Sequence, residues 1–140
     1  MGAASLRVDS GVKRIEVNDN GDYITVNISD NSFFRRFDDF VKWLNVKTVE
    51  ADKISQDTES DFSERFNAYD ALCRESCKEL DALFGEGCCR KVFLDIESPG
   101  MELVADFIDQ IIPIIQGFAT ERNQKITSKY SPNRKGARSN

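Results

Sequence analysis

The chain has 140 residues, 24 acids against 19 bases, and no histidine. That length and a hydrophobic share of 40% predict one globular domain with a core of its own. The missing histidine takes away the commonest general base, pH switch and zinc ligand, so any chemistry must rest on carboxylates, lysines or thiols.

The net charge of -5 is uneven. From Glu121 onward there are six bases (Arg122, Lys125, Lys129, Arg134, Lys135, Arg138) and one acid, so residues 1–120 carry the excess of acid. The start, "MGAASLRVDSG", has no apolar core of signal-peptide length, and Leu6 stands where Ser or Thr would favour myristoylation. No apolar run is expected to approach the roughly 20 residues that span a membrane. These readings predict a cytosolic chain with reduced thiols.

Residues 1–12 are small and polar and are expected to fray. Residues 13–28 read as a β-hairpin: Ile15 and Val17 alternate with polar residues, as do Ile24, Val26 and Ile28, around an Asn20-Gly21 turn with positive φ at both positions. A first helix is predicted over 32–50, capped by Ser32 or Asn31, with Phe33, Phe37, Phe40, Val41 and Leu44 on one face and Trp43 at its edge. It should fade in the polar "VEADKISQDTES". A second helix is predicted over 61–84, with Glu64 completing a capping box. Its stripe runs Phe62, Phe66, Tyr69, Cys73, Cys77, Leu80, Phe84, and Gly85 should end it as a left-handed cap.

"RKVFLDI" is a short apolar piece of undecided type. A last helix is predicted over 99–126, with Ser98 as N-cap, Pro99 in the first turn and Pro113 inside. Its apolar face is too wide for a one-sided surface helix, so it is either central in the core or partly packed on another chain. Residues 127–140 read as a flexible basic tail. The fold class is α+β, mainly α: a hairpin at 13–28 followed by a bundle of three to four helices, in one domain over 13–126.

"LFGEGCCRKVF" concentrates the candidate chemistry. Gly85-Glu86-Gly87 follows a helix and lacks the lysine of a P-loop, so a helix cap and a turn explain it. Cys73, Cys77, Cys88 and Cys89 could supply a four-thiolate zinc site. Against that, adjacent cysteines seldom both reach one metal, and Cys73 and Cys77 fall where the stripe needs apolar residues. No metal, cofactor or catalytic residue is therefore expected. The paired carboxylates read as solvated helix faces. One aromatic in the basic tail, Tyr130, is no stacking series, so nucleic acid is not an expected partner.

The segments "FFRRFDDFVKWL", "LDALFGEGCCRKVF", "SPGMELVADFIDQIIPII" and "ERNQKITSKYSPNRKGARSN" together resemble the small tail assembly chaperones of long-tailed phages and prophages of Gram-positive bacteria. The likeness runs over about residues 13–135 and is densest from Leu80 to Phe93. It implies a non-enzymatic role in the host cytoplasm: coating the tape-measure protein, keeping it soluble, recruiting tail-tube subunits, and leaving before the particle is finished. A homo-oligomer is expected from the wide face of the last helix, and no membrane partner from the lack of a long apolar run. On this reading Phe107, Ile111, Ile114, Ile115 and Phe118 serve client or self-association. The basic residues Arg122, Lys125, Lys129, Arg134, Lys135 and Arg138, taken with Tyr130, serve recruitment. The alternative is a structural virion component, a head–tail connector or tail terminator subunit.

Overall fold

The computed structural model describes residues 2–130. Two strands pair antiparallel, β1 (Val12–Glu16) with β2 (Tyr23–Asn27), in the register Val12 to Asn27 and Glu16 to Tyr23. Four helices follow: α1 (Asn31–Gln56), α2 (Phe62–Phe84), α3 (Cys88–Phe93) and α4 (Met101–Tyr130). The class is α+β, mainly α, as the sequence predicts. Ile24, Val26 and Ile28 face inward as period-2 patterning requires, while Ile15 and Val17 are half-buried.

The hairpin loop is longer than an Asn-Gly turn. Val17 donates its N–H to the carbonyl of Asp22 at 3.1 Å, which leaves four residues between them. Gly21 has φ 88°, but Asn20 is not among the positive-φ residues, so a two-residue turn is replaced. The reason is Asn18. Its Oδ1 accepts from the backbone of Asn20 at 2.8 Å and of Asp22 at 3.3 Å, building a side-chain turn inside the loop.

Helix α1 starts earlier and ends later than its sequence suggests. Asp30 is the cap: its carboxylate accepts from the Ser32 N–H at 3.0 Å and the Ser32 hydroxyl at 2.7 Å, which holds its pKa below the usual value. The helix continues through "VEADKISQ" because Ala51 is buried and Ile54 half-buried against the core. Trp43 is half-buried at the edge of the stripe, stacked on Phe40 with ring centroids 5.8 Å apart.

The N-cap of helix α2 is Asp61, whose side chain makes no capping bond, so the capping box with Glu64 is not formed. Its stripe divides. Leu72, Cys73, Leu80 and Phe84 are buried, whereas Phe62 is 67% and Phe66 63% exposed. Phe84 meets Phe33 and Phe37 of α1 at 5.8 and 6.2 Å and Phe107 of α4 at 5.9 Å, forming the aromatic centre of the core.

Helix α4 begins two residues after the expected start. Ser98 does not cap it; its hydroxyl donates to Asp70 at 2.6 Å and lowers that carboxyl's pKa, with Arg74 assisting. Val104, Ile108, Ile111 and Ile115 are buried and Pro113 is exposed in an unbroken helix that reaches Tyr130. By length and composition alone Met101–Ser128 is long and apolar enough to cross a membrane, contrary to the sequence expectation. In this fold its buried isoleucines and Val104 belong to the core instead.

Candidate functional site

Three elements converge on an apolar groove of about 390 Å3. Strand β1 contributes Ile15, Glu16 and Val17. Helix α3 and the turn after it contribute Val92, Phe93 and Ile96. Helix α4 supplies the floor and far wall, including Leu103, Asp106, Phe107 and Ile114. Ile114 is 40% and Ile96 46% exposed, so unpaired apolar surface lines its mouth. The charged side chains in the lining, Glu16 and Asp106, are both acidic.

The walls are held by polar ties. Asn18 Nδ2 donates to the Lys91 carbonyl at 2.9 Å and to Asp22 at 2.8 Å, and Lys91 Nζ donates to the Tyr23 carbonyl at 3.2 Å. The two bonds made by Lys91 fix the hairpin to α3. Lys13 pairs with Glu121 at 3.0 Å, fixing β1 to α4. Asp81 of α2 accepts the Cys89 N–H at 2.9 Å and, through its carbonyl, the Gly85 N–H at 2.9 Å. Phe93 meets Phe107 edge-on at 6.2 Å and closes the base.

"LFGEGCCRKVF" thus ends α2 and forms α3. Gly85 has φ 112° and ψ 151°, an extended conformation with positive φ in place of the predicted left-handed cap; Gly87, at φ 86° and ψ 2°, is the left-handed residue. Leu94 leaves α3 at φ 53° and ψ -113°, a region that strains any side chain with a Cβ. Cys73, Cys88 and Cys89 are buried and Cys77 is half-buried. Burial pushes all four thiols up, Cys88 to about 12, with the Asp81 carboxylate adding to the effect on Cys88. Among the described residues no three of His, Cys, Asp and Glu cluster as a metal site would require.

The five residues assigned to association are divided. Phe107, Ile111 and Ile114 line the groove; Ile115 and Phe118 do not. Ile111 and Ile115 are 2% and 3% exposed and belong to the core, with Ile111 also lining the groove. Phe118 is half-buried. The basic set is divided too. Arg122 donates to Asn31 at 3.1 Å and lies 5.5 Å over the Phe34 ring, and Lys125 pairs with Asp9 at 3.5 Å, so both are engaged within the fold. Lys129 and Tyr130 close α4, past the predicted helix end at 126. Arg134, Lys135 and Arg138 lie outside the described residues. Ile15, Val17, Val92 and Ile96 are assigned to no site by the sequence, which places Ile15 and Val17 only in strand register and the others in the short apolar piece after the cysteines.

Neither the curated proteins nor the solved structures give a match to this chain. The model of a family of unknown function, DUF6673, matches residues 20–140, a span that includes β2 and all four helices. The chain belongs to that family.

Proposed function

We propose that this protein is a tail assembly chaperone: it covers apolar helical surface on the tape-measure protein, keeps that client soluble, and recruits tail-tube subunits. The observation that carries the reading is the groove, an apolar trough with exposed Ile114 and Ile96 and an acidic rim at Glu16 and Asp106. Such a trough suits one apolar face of a helix, with side chains at helical spacing entering it. The resemblance adds weight because its densest stretch, Leu80 to Phe93, supplies Val92 and Phe93 to the wall. The acidic body resists aggregation while the client is held. Recruitment falls to Arg134, Lys135 and Arg138, because Arg122 and Lys125 already have partners.

The test is co-expression of a tape-measure fragment with the wild-type chain and with Ile114→Glu. Wild type should move the fragment to the soluble fraction, and the variant should not. A fragment equally insoluble with and without the wild-type chain overturns the reading, as does finding the chain in purified particles.

A further inference from the structure

We propose that the exposed aromatic pair Phe62–Phe66 docks the basic segment 131–140 of a second copy of this chain, head to tail. The two rings stack 5.8 Å apart in the first turns of α2, and both are more than three-fifths exposed. Ile54 and Tyr69 help close a shallow groove of about 280 Å3 around them. Exposed aromatics paired on a rigid helix make an anchor that leaves little entropy to lose on binding. The Arg65 guanidinium, 5.8 Å from the Phe62 ring centre, already uses a ring face for a cation.

Charge selects the occupant. Residues 57–66 carry four carboxylates (Asp57, Glu59, Asp61, Glu64) and one base, Arg65. Two such patches meeting across a twofold axis would set like charge against like. Segment 131–140 carries Arg134, Lys135 and Arg138 and no acid. Arginine suits this surface, since a guanidinium can stack on a phenyl ring and pair with a carboxylate at once.

Reach decides that the contact lies between copies. Helix α4 starts beside the patch, where the Met101 N–H meets the Tyr69 hydroxyl at 3.0 Å. It ends past the start of α1, where Arg122 reaches Asn31. At 1.5 Å per residue, Met101 and Tyr130 are about 44 Å apart. Eight extended residues, from Tyr130 to Arg138, cover at most about 29 Å. The basic segment therefore falls short of the patch on its own chain. A head-to-tail contact of this kind repeats, closing into a ring or growing as a filament. The proposal stands apart from the groove, although a recruited subunit would compete for the same arginines.

Sedimentation of the full chain tests it against two variants: Phe62→Ser with Phe66→Ser, and a chain stopped after Tyr130. The full chain should gain average mass with concentration and lose it near 1 M salt, where charges are screened beyond about 3 Å. Each variant alone should stay monomeric. An equimolar mixture should form a one-to-one pair, because each variant keeps the half that the other lacks. Arg134→Glu with Arg138→Glu changes none of residues 2–130 and should behave as the stopped chain does. A full chain that is monomeric throughout, a stopped chain that associates as the full chain does, or a mixture that stays monomeric would each overturn the proposal.

Discussion

The Tyr69 hydroxyl accepts a hydrogen bond from the backbone N–H of Met101 at 3.0 Å, so a side chain of α2 satisfies one of the open donors at the start of α4. It donates in turn to Glu102 at 3.3 Å, and burial pushes the phenol pKa up. Tyr69→Phe keeps the ring and removes the bonds. The expected cost is about 1 kcal/mol, seen as a lower urea midpoint with an unchanged m value.

Ile114 and Ile115 are neighbours in sequence with opposite roles. Ile115 is 3% exposed in the core and Ile114 is 40% exposed on the groove. Ile115→Ala should cost about 2–5 kcal/mol of stability, and Ile114→Ala should stay within about 1 kcal/mol. Chemical denaturation of the two variants side by side checks the contrast.

Backbone signs give a third expectation. A Cβ at Gly85 or Gly87 meets no atom within 4 Å, so substitution acts through φ alone. Gly85→Ala forces alanine into a region reserved for glycine and should cost about 1–3 kcal/mol. Gly87→Asn should be milder, because asparagine tolerates the left-handed conformation. Leu94→Gly should stabilise the protein slightly, since Leu94 is 46% exposed and its φ is 53°. Thermal midpoints of the three variants order the effects.

The thiols predict alkaline instability. The folded chain holds Cys88 protonated to about 12, whereas an unfolded thiol ionises near 9.0. Above the unfolded value the unfolded state binds fewer protons than the native one, so stability falls as pH rises between those values. Each such thiol contributes a slope of about 1.4 kcal/mol per pH unit. Cys88→Ala should flatten the decline measured by urea titration between pH 9 and 11, at a small cost at neutral pH. In the native protein at neutral pH a thiol reagent should reach half-buried Cys77 before Cys88 or Cys89.

The helical stripes were legible because burial follows the 3.6-residue period wherever two helices face each other. Phe33, Phe37, Phe40 and Leu44 went inside for that reason. The same period misplaced Phe62 and Phe66. Periodicity marks a face but not how far the neighbouring helix extends, and α4 starts only at the level of Tyr69. The cap at Asp30 and the loop built on Asn18 were missed because both depend on local side-chain geometry that competing residues nearby could equally supply. The groove was out of reach for another reason. Its walls come from residues 15 and 114, and no single-chain pattern links positions so far apart. The wide face on α4 did announce that something more than one surface was involved, and the structure divides it between core and groove.

The ion pair between Lys13 and Glu121 joins positions 108 apart in the chain. Such a contact forms late, because the loop between its ends is long and closing it is entropically costly until other contacts have shortened it. During synthesis the hairpin, α1 and α2 can associate while α4 is still being made, with Leu80 and Phe84 awaiting their last neighbours. The groove and its acidic rim do not exist until α4 docks. Order of assembly thus places the groove after closure of the core, because α4 supplies one of its walls.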